Sequence, residues 1–259
     1  MTEPLEVIEF LARSPNRVAV LRTVADAPHS RRELRERTAA SQPTLTRIIR
    51  DFEERNWIRR TDAGYVATPL GAMLADGMAG LLTVVETEQH LRDIAAWLPT
   101  DELDIDLTAL HDARITRPTT TDPSGPLKRA LELTADARNH RIVSYALNRD
   151  MVEQLHGATV EGSQQFEAVV TESTVEPLRD APALWQQFRA VAASDSVSIR
   201  VADHAVSFAM GIADGTVYFL LRDDGEVLRA LVESEDEHVL AWAHDTFDRY
   251  WETASPLDV

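Results

Sequence analysis

Residues 30–74 read SRRELRERTAASQPTLTRIIRDFEERNWIRRTDAGYVATPLGAML. Ser30 caps a helix running to about Thr38, with Leu34 as its main core residue. Ala39-Ala40-Ser41 forms a short break. Ser41 caps a second helix, whose first turn tolerates Pro43 because the amide there has no intrahelical partner. Leu45, Ile48, Ile49 and Phe52 share one side of that helix. Arg47, Arg50 and the hydroxyls of Thr44 and Thr46 lie largely elsewhere on the cylinder. Two β stretches follow, Trp57–Thr61 and Tyr65–Thr68, joined through Asp62-Ala63-Gly64, which is a hairpin signal.

Upstream, Pro4–Ala12 places Leu5, Ile8 and Leu11 on one face. Ser14-Pro15 starts a helix to about Ala27, with Val18, Leu21, Val24 and Ala25 inward. The order helix, helix, turn, helix, hairpin predicts a winged helix-turn-helix. In that motif the second helix of the pair enters the major groove of DNA. Gln42 offers the paired donor and acceptor that match adenine, and Arg47 the fork that matches guanine. Thr44 and Thr46 suit bases or phosphates. Ser41 and Arg50 belong to the same candidate surface. Arg59 and Arg60 sit where a wing approaches phosphate or the minor groove, and Arg31, Arg32 and Arg35 suit backbone contacts. The competing readings are a solvated arginine face and a winged helix that binds protein.

Charge separates the chain into two parts. It has 259 residues, 26 Lys+Arg against 43 Asp+Glu and a net charge of -17, which by itself argues against nucleic acid. Yet residues 1–70 hold 12 Arg against 10 acids, and residues 31–60 hold nine Arg against five. The other 189 residues hold 14 basic groups against 33 acids. Lys128 is the sole lysine beside 25 arginines. High acidity with little lysine resembles the proteins of salt-loving archaea; an acidic protein from a GC-rich genome is the alternative. With no cysteine, disulfides, thiolate metal sites and cysteine nucleophiles are excluded. The acidic N-terminus lacks the order of a signal peptide, and no uninterrupted apolar run approaches a membrane span. These features suit a cytoplasmic protein.

The spacing predicts a long helix from Pro69 to about Leu98, with Leu70, Met73, Leu74, Met78, Leu81, Leu82, Val85, Leu91, Ile94, Ala95 and Leu98 recurring at steps of three and four. It serves as a linker or dimerisation helix, or packs within one subunit. In the acidic stretch after it, Leu103, Ile105, Leu107 and Leu110 are expected against a core. Beyond a loop at 118–125, helices are expected over 127–137, 150–156, 182–193 and 235–252. Strands are expected over 141–147, 165–171, 197–201, 206–212, 217–221 and 227–232. The expected fold class is α+β, with helices covering a sheet. The expected divisions are 1–70, a DNA-binding winged helix; 71–98, the linker helix; and 99–259, an effector-sensing domain.

Two resemblances join these readings. The quoted stretch resembles the winged-helix domain of archaeal regulators of the ArsR and TrmB-like groups. Their layout R-x-[IL]-x-x-[FL]-E-x-x-x-[WL]-[IV], wing, T-x-x-G is carried here by Arg47–Ile58 and Thr68–Gly71. That resemblance implies a sequence-specific transcriptional regulator, usually dimeric. ELDIDLTALHDARITRPTTTDPSGPLKRALEL (102–133) and LRALVESEDEHVLAWAHDTFDRYWETASPL (228–257) resemble the middle domain of methanogenesis-regulator-like transcription factors of archaea. This second resemblance implies a sensor with an effector site.

The chemistry of the second part is sparse. It contains no G-x-G-x-x-G, phosphate loop, H-E-x-x-H or G-x-S-x-G. The paired H-x-K motifs of phospholipase-like relatives are missing. His140, His156, His204, His238 and His244 are scattered, and Ser163, His204 and Asp203 make no recognisable triad. No cofactor, metal or catalysis is expected. Effector candidates are polar groups among β residues: Ser144, Tyr145, Thr171, His204, Ser207 and Arg222, the last able to clamp a carboxylate or phosphate. The expected partners are double-stranded DNA with a palindromic operator, a second copy of the chain and a small-molecule effector, with no membrane.

Overall fold

The computed structural model describes residues 3–147, 149–161 and 164–258, so Ser163 lies outside them. The chain forms two compact units, Met1–Glu86 and Thr87–Val259. The boundary falls inside the long helix.

The first unit contains α1 (Pro4–Ala12), α2 (Pro15–Asp26), α3 (Arg31–Arg37), α4 (Gln42–Glu54), β1 (Ile58–Thr61), β2 (Gly64–Ala67) and the start of α5 (Pro69–Leu91). Local chemistry sets the starts of α3 and α4. The Glu33 amide donates to Ser30 Oγ at 3.3 Å, and the Ser30 amide donates to Glu33 Oε2 at 2.7 Å, a complete capping box. Ser14, by contrast, makes no side-chain cap, and Pro15 alone marks the start of α2. The core gathers Leu11, Val20, Leu21, Val24, Leu34, Leu45, Ile48, Ile49, Phe52, Trp57 and Tyr65. Leu5 and Ile8 are exposed, so α1 meets the core through the buried Leu11 and the partly buried Val7 and Phe10.

The hairpin pairs Thr61 with Gly64, which leaves a two-residue connection, Asp62-Ala63. A third extended segment joins it. His29 and Tyr65 exchange both backbone hydrogen bonds, at 2.9 and 2.8 Å. Gly64 has φ +125, and a Cβ there would lie 2.4 Å from the His29 carbonyl, so only glycine fits. The T-x-x-G motif has an equally physical basis. Thr68 Oγ1 accepts from the Gly71 amide at 3.1 Å and donates to the Asn56 carbonyl at 2.7 Å. A Cβ on Gly71 would sit 1.9 Å from the Trp57 oxygen.

Helix α5 stops at Leu91, seven residues before the expected end. A 3-10 turn, Ala95–Trp97, replaces its last turns and carries the fully buried Ile94 and the buried Leu98 into the second core. Within the first unit, α5 buries Gly71, Ala75 and Met78. Leu70, Met73, Leu81, Val84 and Val85 are exposed, and all but Val84 belong to the apolar stripe read from the spacing. By length and composition α5 is apolar enough to cross a membrane, with a mean hydropathy of 1.3 over its best window. Counting uninterrupted runs misses this, because Asp76 breaks the run without much lowering the average.

The second unit is built on an eight-stranded sheet. Its members are β3 (Arg114–Thr116), β4 (Asn139–Ser144), β5 (Gln165–Val170), β6 (Val197–Val201), β7 (Ala209–Ala213), β8 (Thr216–Arg222), β9 (Leu228–Ser234) and β10 (Ser255–Pro256). The spatial order is β10-β6-β5-β4-β7-β8-β9-β3, with β4, β5 and β6 parallel and the other pairings antiparallel. The helices are α6 (Gly125–Ala135), α7 (Arg149–Glu161), α8 (Glu172–Arg179), α9 (Pro182–Ala192) and α10 (Glu237–Thr253). Together the units make an α+β protein. Successive strand residues point to opposite faces. Ile142 and Ala168 therefore enter a core with α7, α8 and α9, while Val143 and Val169 enter another with α10. Leu103 and Leu110 join the α10 core as expected, but Leu107 is exposed. Lys128 on α6 pairs with Asp122 at 2.6 Å.

Candidate nucleic-acid interface

The core side of α4 fixes what its outer side presents. Leu45, Ile48, Ile49 and Phe52 are all buried. Arg17 anchors the helix from behind. It donates to the Phe10 carbonyl at 2.7 Å, lies 3.8 Å from Asp51 and stacks over the Phe10 ring. Burial lowers the pKa of this guanidinium. Phe10, Phe52 and Trp57 complete the anchor with ring centroids 5.5–6.4 Å apart. Gln42, Pro43, Thr46, Arg47 and Arg50 are exposed on the outer side, where they line an open concavity of about 580 Å³.

The ten DNA-contact candidates fall into two groups. Gln42, Arg47, Arg59 and Arg60 are exposed and show no side-chain hydrogen bond or ion pair among the described residues. The rest have intramolecular work. Ser41 Oγ caps α4 by accepting from the Thr44 amide at 3.4 Å, and it shares a 2.9 Å hydrogen bond with Thr44 Oγ1. Thr46 Oγ1 donates to the Gln42 carbonyl at 2.9 Å. Arg50 lies 3.7 Å from both Asp51 and Glu54, and Arg32 lies 3.4 Å from Glu36. Arg31 Nε donates to the Tyr65 hydroxyl at 3.1 Å, which ties α3 to the hairpin. The role of Tyr65 is not legible in the sequence, because it depends on a contact 34 residues away.

On the wing, Arg59 opposes Val66 and Arg60 opposes Tyr65. Consecutive strand residues face opposite ways, so a duplex lying against one face of the wing meets one of these arginines and not the other.

The effector candidates do not share one cavity. His204 and Ser207 line a cavity of about 580 Å³ with Glu102, Thr246, Arg249 and Tyr250, beyond the carboxyl end of β6. There the His204 ring stacks on Tyr250 at 5.2 Å, Ser207 donates to Glu102 at 2.8 Å, and the His204 hydrogen bond holds the Asp203 carboxyl below its usual range. Tyr145 lies under the Arg222 guanidinium at 5.4 Å, and Arg222 Nε is buried without a hydrogen-bond partner. Burial raises the Tyr145 phenol. Thr171 bonds the hydroxyls of Ser173 and Thr174, both at 2.8 Å, at the start of α8. Ser144 Oγ donates to the Ala146 carbonyl. Among the described residues no three metal-ligating side chains cluster.

Residues 5–90 match the family model of the HVO_A0261 N-terminal domain, and residues 123–253 match that of the middle domain of the methanogenesis regulatory protein FilR1. The sequence has no match among curated proteins. Among solved structures, TrmBL2, described as an archaeal chromatin protein with a novel mode of DNA binding, aligns at 15% identity over 98% of this chain and 100% of its own, with a TM-score of 0.43. Nuc, a phospholipase D family member from Salmonella typhimurium, aligns at 13% identity over 57% of this chain and 99% of its own, also at 0.43.

Proposed function

The chain belongs to the family defined by the FilR1 middle domain, and from that premise we propose that it is a sequence-specific, DNA-binding transcriptional regulator. The observation that carries this reading is the outer side of α4: Gln42 and Arg47 stand exposed and uncommitted on a helix whose other side is locked into the core. Arg47 reads guanine and Gln42 reads adenine in the major groove, with one wing arginine on phosphate or in the minor groove. Arg31, Arg32, Arg50 and the α4 hydroxyls set position on the backbone.

The regulator acts as a homodimer on a palindromic operator. Supporting this, Leu70, Met73, Leu81 and Val84 form an exposed stripe on α5, with Leu5 and Ile8 exposed on α1. A Cβ on Gly77 or Gly80 would meet nothing within 4 Å, so the stripe has two bare points where a second α5 packs closely. Its half-sites lie about one helical turn apart. A small-molecule effector held in the second unit tunes binding, and the protein works in a cytoplasm rich in salt, as its acid excess and arginine preference suggest.

Genome-wide mapping of bound sites, followed by footprinting at high salt, tests the reading. Protected palindromic sites are expected. A complete lack of protected sites overturns it and leaves a winged helix that binds protein.

A further inference from the structure

One cleft in the second unit has no signal in the sequence. It has a volume of about 460 Å³ and lies where β3, the start of β8 and the end of β9 meet α6 and the segment before β3. Its floor is an ion pair. Glu233 is nine-tenths buried and accepts from Arg129 Nε at 2.7 Å and from Arg129 Nη2 at 2.9 Å. A buried pair of this kind gains little over well-packed apolar residues, so its presence calls for another use.

Arg114 stands opposite Glu233 in the sheet register. Its Nη1 is 3.6 Å from Glu233 Oε1, too long for a hydrogen bond, and its side chain is largely exposed. Arg129 already occupies Glu233, so Arg114 is a cation free to exchange partners. The opposite charge lines the rim, where Asp112 and Glu235 are exposed. The cleft therefore offers a guanidinium for a carboxylate and carboxylates for an ammonium, on a floor whose own charge is cancelled.

The cleft also touches the element shared by both units. His111, one of its lining residues, lies 3.2 Å from Thr87 Oγ1 on α5, and His90 Nε2 lies 2.6 Å from the Ala113 carbonyl. A ligand that shifts the 108–114 segment pulls on the carboxyl end of α5.

We propose that this cleft binds a small zwitterion of the amino-acid class, its carboxylate on Arg114 and its ammonium on Asp112 and Glu235, and that the bound state is passed to α5 through the His111–Thr87 contact. This rests on the ligand-modulated regulator reading above and names its ligand class and site.

The test uses the full chain. Each of the twenty amino acids is titrated by calorimetry, with succinate and putrescine as probes carrying one charge type only. Binding by one or a few amino acids and by neither probe is expected. Arg114→Gln should weaken that binding about tenfold, with an unchanged circular dichroism spectrum, while Arg249→Gln in the other cavity leaves it intact. No amino-acid binding, equal binding by either probe, or indifference to Arg114→Gln overturns the site. Thr87→Val should keep ligand affinity and abolish the ligand's effect on DNA affinity; an unchanged effect overturns the route. Ligand binding is read without DNA, so a chain that binds amino acids but no DNA sinks the regulator reading and not the site.

Discussion

Arg47 and Arg50 lie three residues apart on α4, yet their environments differ. Arg47 has no intramolecular partner among the described residues, while Arg50 is shared between Asp51 and Glu54. Arg47→Ala should therefore cost about 1–3 kcal/mol of specific affinity and relax base preference at one position. Arg50→Ala should weaken all sequences alike. Fluorescence anisotropy against operator and scrambled duplexes separates the two. Gly71 shows the same contrast between motif and cause. The T-x-x-G pattern is visible in the sequence, but its reason is the Trp57 oxygen, only 1.9 Å from where a methyl group on residue 71 would have to sit. Gly71→Ala should lower stability by about 1–3 kcal/mol in urea. In the second unit, His140 is fully buried beside the Tyr218 hydroxyl at 2.8 Å, and burial lowers its pKa to about 3. The folded imidazole thus stays neutral where the unfolded one, with a pKa of about 6.5, takes up a proton. The stability from this group is complete above about pH 6.5 and drains away as pH falls toward 3. Thermal melts across that range should show the loss, and His140→Asn should flatten it.

The elements legible in the sequence are those whose signals are local. Caps at Ser30 and Ser41 and the apolar side of α4 act within a few residues and place α3 and α4, and the glycine after the wing turn marks the hairpin, although its close approach to His29 is not visible in the sequence. Elements that depend on distant partners are less legible. Strand β3 has three residues and exists because β9 pairs with it. Helix α8 contains Pro177, which reads as a breaker. Thr174, Val175 and Leu178 are buried, and that packing holds the helix. Periodicity finds the stripes on α1 and α5 but cannot tell a core-facing stripe from an exposed one. That ambiguity yields a prediction. Leu81→Glu with Val84→Glu should leave the fold intact and convert dimer to monomer in sedimentation velocity, because the changes add charge only where no core is disturbed. The wing gives another. Arg59→Ala and Arg60→Ala should differ, one lowering the slope of log affinity against log salt by about one and the other leaving it unchanged.

For the molecule as a whole, the division of charge is readable by counting, but the sheet order is not. Placing β7 beside β4 and β3 at the far edge depends on contacts between residues far apart in the chain. The effector candidates illustrate the cost. Polar residues in or near strands stand out one by one in the sequence, and the fold disperses them among separate places, while the cleft over Glu233 draws on four separate segments. The scarcity of lysine has a practical outcome. Amine-reactive dyes can reach one side chain, Lys128, besides the α-amino group. It is more than half exposed and is the residue just before Arg129. A fluorophore attached there would report on the cleft without any engineered cysteine, so the wild-type chain already carries its own labelling handle.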